Sequence, residues 1–190
     1  MADRLAPSSA LDAGLRAALP APTPALMVRV VDGLRVLALR HLVGGAGAIE
    51  AALAAHDLAP LAKPGACKGA DPWLAWISPA ESLLLTSQHA VADGVLRELA
   101  PGRVALACAL DQSGGCLVFE LLGANVDNVL QHLLDVSAIP QRAGQSNRGR
   151  LMDISAVVIR LEPDRVLLVV DRMHGIYAAQ WLRHALDSLN

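Results

Sequence analysis

Residues 141–150, QRAGQSNRGR, concentrate positive charge in a region without a clear helical or strand pattern. They include Arg142, Arg148 and Arg150, and the next acidic residue is Asp153. Guanidinium groups bind carboxylates through paired hydrogen bonds, and connections longer than about 12–15 residues in a compact domain are often functional. The segment is therefore a candidate site for a carboxylate-bearing ligand or an acidic partner surface. A solvated loop is the competing interpretation.

Arg160 is the fourth candidate, because it interrupts the apolar run VVIRL, residues 157–161. A charged side chain within a strand must reach the sheet edge, a partner or a ligand, since burying it unpaired is strongly unfavourable. The pattern leaves those three destinations open.

Other chemistry is disfavoured by residue spacing. The stretch LVGGAGAIE lacks the third glycine of GxGxxG and the Lys-Ser/Thr pair of a phosphate loop. The six histidines form neither HxH nor HExxH, and GxSxG is absent. The three cysteines form no CxxC pair and are interpreted as reduced thiols. The sequence therefore predicts no catalytic residue, no metal site and no cofactor bound by this chain.

Composition limits the partners and the compartment. The chain of 190 residues is 54% hydrophobic but only 3% aromatic, which predicts an aliphatic core, and its net charge is -2. This charge gives no reason to expect nucleic acid or an anionic membrane as partner. No apolar run approaches the ~18 residues of a membrane span, and no signal peptide is found, so we predict a cytoplasmic protein.

Two stretches of the chain repeat one pattern, and this repetition predicts the fold. AWISPAESLLLTSQ and VIRLEPDRVLLVVDR each contain an apolar run, a proline, a second apolar run and then a helical segment. Setting Pro79 against Pro163 aligns the flanking leucines and valines. The order of elements predicts an α+β fold of duplicated split βαβ (ferredoxin-like) units.

The same pattern sets provisional boundaries. Residues 1–25, rich in Ala and Pro, are predicted to be a partly ordered N-terminal arm, and residues 26–190 a single domain. Repeat one spans about 34–110 and repeat two about 116–190, without its last strand, which an early strand at Leu26–Val31 could supply. Asp32-Gly33 predicts a hairpin, and residues 136–153 a long connection.

The strands SLLLTS and RVLLVV are apolar on both alternation faces. One helix layer covers only one face of a sheet, so the other face must pack against the sister repeat or another chain. Leu168→Asp is therefore expected to unfold the chain, and Arg165→Ala to be nearly silent.

Three motifs resemble a known family. LAWISPAESLLL resembles the W-L-G-P-x-E-W-L-L signature of the gamma subunit of heterotetrameric sarcosine oxidase. ALDQSGGCLVFELLGANVDNVLQHLLDVSAI is similar to that family's D-x-S-x-G segment. VIRLEPDRVLLVVDRMHGIYAAQWLRHAL resembles the strand-strand-helix of the related folate-binding aminomethyltransferase (glycine cleavage T protein) superfamily. The resemblance covers roughly Gly33 to Leu189.

The resemblance implies an aminomethyltransferase-like domain acting as a non-catalytic gamma-type subunit. In such an enzyme flavin, NAD, folate and zinc are expected on the partner subunits, which demethylate sarcosine oxidatively. Ile154 and Ser155 stand where the aminomethyltransferases carry an acidic pair, so a folate-activating carboxylate is not expected here. The alternative is a free-standing folate-binding or one-carbon-transfer protein, whose Arg142–Arg150 segment holds the ligand's glutamate carboxylates. Self-association is the alternative to partner subunits.

Overall fold

The computed structural model describes residues 9–189, which form five helices and ten strands. The helices are α1 (Ser9–Ala18), α2 (Ala46–Ala54), α3 (His89–Glu98), α4 (Val126–Leu133) and α5 (Gly175–Asp187). The first five strands are β1 (Met27–Val30), β2 (Arg35–His41), β3 (Cys67–Lys68), β4 (Trp73–Ser78) and β5 (Glu81–Thr86). The others are β6 (Ala107–Asp111), β7 (Cys116–Leu122), β8 (Gln145–Leu151), β9 (Ile154–Glu162) and β10 (Arg165–Asp171). Of the arm predicted at 1–25, residues 1–8 lie outside the described residues, and Ser9–Ala18 is α1.

The strands form two five-stranded antiparallel sheets with the same internal order. One sheet runs β3-β4-β5-β2-β6 and the other β8-β9-β10-β7-β1. Reading the two orders side by side makes each strand of the first repeat equivalent to one of the second. Pro79 falls in the β4–β5 turn and Pro163 in the β9–β10 turn, which are equivalent places. The predicted duplicated α+β fold is confirmed.

The first strand completes the sheet of the second repeat, as the sequence suggested, but the predicted hairpin at Asp32-Gly33 is wrong. β1 pairs with β7, Met27 lying opposite Leu122, whereas β2 pairs with β5 and β6 in the other sheet. Gly33 does occupy the left-handed region, with φ 76°. The turn chemistry was therefore recognised correctly. The turn at Asp32-Gly33 carries the chain from one sheet to the other, so the strands on either side of it, β1 and β2, do not pair with each other.

The two sheets pack face to face and each carries helices on its outer face. α4 and α5 cover the second sheet together with α1, and α2 and α3 cover the first. A third apolar cluster lies between the sheets and combines side chains such as Leu85 and Leu167. Leu168, the next residue of β10, faces the helix layer. The apolar strand faces are thus covered by the sister repeat, which is the first of the two alternatives that the sequence left open.

The predicted long connection at 136–153 contains a strand, β8, which is a second correction. β8 is polar in sequence and buries chiefly Ser146 and Leu151, so it lacks the apolar alternation by which a strand is recognised. The Ser146 hydroxyl lies 2.9 Å from the carbonyl oxygens of both Ala66 and Trp76. The Cys67 N–H donates to the Gly144 carbonyl over 2.8 Å. These bonds join the two sheets along the β3–β8 edge.

Candidate functional site

A cavity of about 240 Å³ opens between the two sheets, and Arg148, one of the candidate arginines, lines it. We call it the inter-sheet cavity. Strands β2, β5, β8, β9 and β10 contribute side chains to it. Its charged lining residues are Arg40, Glu81, Arg148 and Asp171, and His174 lines it as well.

Arg148 is the one predicted ligand-binding arginine that lines the inter-sheet cavity. Its Nε donates to the Ser155 hydroxyl over 3.3 Å, and Ser155 lines the cavity as well. Ser155 stands at one of the two positions where the aminomethyltransferase resemblance sets an acidic residue. Asp153 lies in the preceding turn and accepts a hydrogen bond from Tyr177 on α5, on the helix side of the sheet. The cavity therefore receives a serine from the start of β9, and the nearby carboxylate is held elsewhere.

The remaining cavity charges and thiols give no activated nucleophile. Arg40 donates to Glu81 through Nε at 3.2 Å and Nη2 at 3.1 Å, so this pair neutralises itself. Burial and the nearby Asp171 carboxylate raise the pKa of Cys116, against the opposing charge of Arg172. Outside this cavity, burial also raises the pKa of the Cys67 thiol to about 12. A thiol reacts as its thiolate, so both cysteines are protonated and inert at neutral pH.

Arg142 and Arg150 do not converge with Arg148. The Arg142 backbone N–H donates to the Gln145 side chain over 2.9 Å. Arg150 donates through Nη2 to the Asp153 carbonyl over 2.8 Å, which closes the β8–β9 turn. Arg148 and Arg150, two residues apart on β8, share one face of the sheet, whereas Arg142 precedes the strand, and all three arginines are exposed. A ligand-binding role for them stays a prediction, and of the three only Arg148 lines the inter-sheet cavity.

Arg160, the fourth candidate, is buried with its side chain only 3% exposed. It donates through Nε to the Pro140 carbonyl over 2.7 Å, through Nη1 to the Pro163 carbonyl and through Nη2 to Asp127. The guanidinium thus connects three separate segments of the second repeat. Since its three nitrogens are all engaged by acceptors of this chain, the geometry favours a structural role.

A buried charge that the sequence reading missed lies in β7. The Glu120 side chain is 2% exposed, and it accepts hydrogen bonds from Arg29 Nε at 2.5 Å and Arg165 Nε at 2.7 Å. Burial acts to raise the pKa of Glu120, but the bonds and charges of Arg165 and Arg29 outweigh it and hold that pKa below its ordinary value. Glu120 interrupts the apolar run CLVFELL in the same way that Arg160 interrupts VVIRL. A search for charged residues within apolar runs would therefore have identified Glu120 as well.

The expectation that Arg165→Ala is silent is replaced by a different prediction. Arg165 is one of two cations that neutralise the buried Glu120, so its removal should cost about 1–3 kcal/mol at pH 7. Urea unfolding of Arg165→Ala and of the exposed Arg142→Ala measures this, and the second variant should match the parent.

The pH dependence supplies a further check on the same pair. Because the folded-state pKa of Glu120 is lowered, its stabilisation is present above the ordinary value of 4.5 and is lost as the pH falls through the lowered value. The difference between the parent protein and Arg165→Ala should therefore shrink at acidic pH. A difference that stays constant from neutral to acidic pH would contradict the assigned role of Glu120.

Within residues 9–189, no group of three or more His, Cys, Asp or Glu side chains is arranged to hold a metal ion. In the same part of the chain, none of the helices combines the length and the apolar character needed to cross a membrane.

An exposed apolar surface lies beside β2 and β6. Leu42, Val43 and Leu106 are exposed, Val43 to 99%, and we call them the aliphatic patch. The Leu42 N–H donates to the Leu106 carbonyl over 2.8 Å, and a Cβ built at Gly45 would lie 2.1 Å from that oxygen. The patch is therefore fixed by close backbone packing. It borders a shallow cavity of about 390 Å³ lined also by Ala80, Val104, Ala107 and Cys108.

Comparison with known proteins gives matches of structure. No protein-family model matches the chain, and no curated protein matches its sequence. A chain of the heterotetrameric sarcosine oxidase from Corynebacterium sp. U-96, solved with pyrrole 2-carboxylate, matches with a TM-score of 0.78 and 23% identity. The match covers 97% of this chain and 95% of that one, so the two chains are of similar length.

The glycine cleavage system aminomethyltransferase T from Bartonella henselae has the same fold over a shorter part of its length. Its TM-score is 0.60 at 12% identity, over 90% of this chain. This chain spans 48% of the transferase. The fold that the sequence motifs predicted, shared by a sarcosine oxidase chain and an aminomethyltransferase, is confirmed.

Proposed function

We propose that this chain is the small, gamma-type subunit of a heterotetrameric sarcosine oxidase-like enzyme and supplies no catalytic group. The observation that carries the proposal is the fold shared, over nearly the whole of both chains, with a chain of a heterotetrameric sarcosine oxidase. In this proposal the partner subunits bind flavin, NAD, folate and zinc and oxidatively demethylate sarcosine in the cytoplasm. This chain stabilises their assembly.

The lining of the inter-sheet cavity favours a non-catalytic subunit rather than a folate-dependent enzyme. At the start of β9, Ser155 lines the cavity and is hydrogen-bonded to Arg148. Activating folate for one-carbon transfer requires a group that moves a proton at the ligand, and a serine hydroxyl bound by a guanidinium is a poor one. The protonated thiol of Cys116 offers no alternative nucleophile there.

The aliphatic patch supplies a surface for a partner subunit. Monomeric proteins rarely leave grouped large aliphatic side chains in water, and the cores of subunit interfaces are depleted in charge. The charged neighbours Arg40 and Glu81 pair with each other, so the patch presents little unpaired charge. We therefore place the partner's contact on Leu42, Val43 and Leu106.

Affinity purification of the chain tagged at its native locus tests the proposal. We expect three other subunits and sarcosine-dependent oxidation to co-purify. Val43→Asp should release the partners because it sets a charge within the apolar contact, while leaving the melting temperature unchanged, since Val43 is fully exposed. Val136→Asp is the matched control, as Val136 is also exposed but lies in the second repeat.

The free-standing alternative gives a different result in the same experiments. A chain that purifies alone as a monomer, binds tetrahydrofolate and transfers a one-carbon unit would overturn the subunit proposal. Light scattering and a tetrahydrofolate titration of the isolated chain decide between them. Retention of the partners by Val43→Asp would instead move the interface away from the aliphatic patch.

A further inference from the structure

A third cavity, of about 310 Å³, lies where α1, β1 and the segment after β10 meet. Its wall is partly aliphatic and includes the buried Leu15 and Leu117. Three arginines also line it, namely Arg16, Arg29 and Arg172. We call it the arginine cavity. It is separate from the predicted Arg142–Arg150 segment, which lies on and before β8.

The hydrogen-bond donors in this cavity are only partly used. Arg172 donates through Nε to the Gly114 carbonyl over 3.0 Å, and its two terminal nitrogens have no acceptor among the described residues. The Arg16 side chain likewise has no acceptor within that part of the chain. Arg29 is engaged by Glu120. An arginine has five N–H donors in a planar fork, so Arg16 and Arg172 can still bind an anion.

The local charge at the arginine cavity is positive, whereas the net charge of the chain is negative. The protein has a net charge of -2, yet three guanidinium groups and only one carboxylate, that of Asp32, line the cavity. Glu120 balances Arg29 from within the sheet. The three guanidinium groups, set against the carboxylates of Asp32 and Glu120, therefore leave a surplus of one positive charge beside an aliphatic wall.

The walls are fixed before any ligand arrives. α1 packs on α5, where Arg183 donates to the carbonyls of Ala17 and Leu19. The Arg172 backbone N–H donates to the Gly115 carbonyl over 2.8 Å, which fixes the start of its side chain. A preformed site loses less conformational entropy when it binds a ligand.

We propose that the arginine cavity binds a small organic acid, a carboxylate carried on a short apolar body. The carboxylate pairs with the free donors of Arg16 and Arg172, and the body lies against Leu15, Val30 and Leu117. Its volume is at the lower end of the ~300–1,000 Å³ typical of small-molecule sites. The proposal is independent of the subunit role, since none of these residues belongs to the aliphatic patch.

Calorimetric titration of the full-length chain with octanoate tests the site, with acetate and octylammonium as comparison ligands. We expect saturable binding of one octanoate per chain, weakened by added salt because the anion is bound by charge. Acetate lacks the apolar body and octylammonium has the wrong charge, so both should bind at least about tenfold more weakly.

Charge-removing variants locate the binding. Arg172→Gln and Arg16→Gln should each raise the dissociation constant for octanoate about tenfold, the loss expected for one charge-assisted contact. Arg97→Gln on α3 makes the same charge change far from the cavity and should have no effect. Arg16 is exposed and has no partner in the described residues, so its substitution tests the site even if Arg172→Gln fails to fold. Absent octanoate binding, equal binding of octylammonium, or equal effects of all three variants would overturn the proposal.

Discussion

Leu168→Asp is expected to leave the protein unfolded under conditions in which the parent is fully folded. Leu168 is 0% exposed at the centre of β10, between Phe119 of β7 and Val158 of β9. A carboxylate there has no cation within the apolar layer beneath α4 and α5. The cost is several kcal/mol, a large share of the ~5–15 kcal/mol by which small domains are stable.

Leu122→Asp is the matched control, because it makes the same substitution in an adjacent strand of the same sheet. Leu122 is 36% exposed at the end of β7. Its charge can remain in water, so we expect a loss within about 1 kcal/mol. Circular dichroism and thermal melting of both variants measure the contrast. Similar melting temperatures for the two would mean that β10 is not the buried centre of its sheet.

Arg160→Ala is expected to lower the free energy of unfolding by about 2–4 kcal/mol. The substitution removes the donors for the Pro140 and Pro163 carbonyls and separates α4 from the β9–β10 turn. Asp127 contributes less to this loss because its side chain is largely exposed and regains water. Most of the loss therefore comes from the two carbonyl groups and from the space left beside them.

Two further variants separate these causes. Arg160→Met keeps an apolar side chain of similar length but has no donor, so the part of the loss that it retains is the hydrogen-bond contribution. Arg150→Ala removes an exposed arginine with a single bond, to the Asp153 carbonyl, and should change stability by less than about 0.5 kcal/mol. Urea unfolding supplies all three values. If Arg160→Ala is as stable as Arg150→Ala, then Arg160 does not connect these segments, and a ligand-binding role for it regains support.

Because the two sheets pack face to face, the apolar strands are part of the core of this chain and do not form an interface with a partner. Leu85 and Leu167 lie in the same cluster between the sheets, so the second face of each strand is satisfied within the chain. A partner is therefore not required for folding. In the proposed assembly the partner contacts the smaller aliphatic patch, and we expect the isolated chain to be a stable folded protein.

Local patterns in the sequence were enough to establish the repeat. The pattern is local in the sequence. It consists of two apolar runs, a proline between them and an amphipathic helix after them, all within consecutive residues. This pattern placed Pro79 and Pro163 in equivalent turns and identified the fold class. The burial of Leu168 followed from the same information, because residues on both sides of it along β10 are apolar.

Only the tertiary structure decided which strands pair and which partners the charged residues contact. β1 joins β7, so Arg29 meets Glu120 across 91 residues of sequence. β8 forms although its residues are polar, because the edge of β9 and the neighbouring β3 supply its hydrogen-bond partners. Arg160 donates to the carbonyl oxygens of two prolines, and no sequence motif predicts such backbone acceptors. Strand pairing and backbone acceptors depend on contacts between distant segments, whereas sequence patterns report only on neighbouring residues.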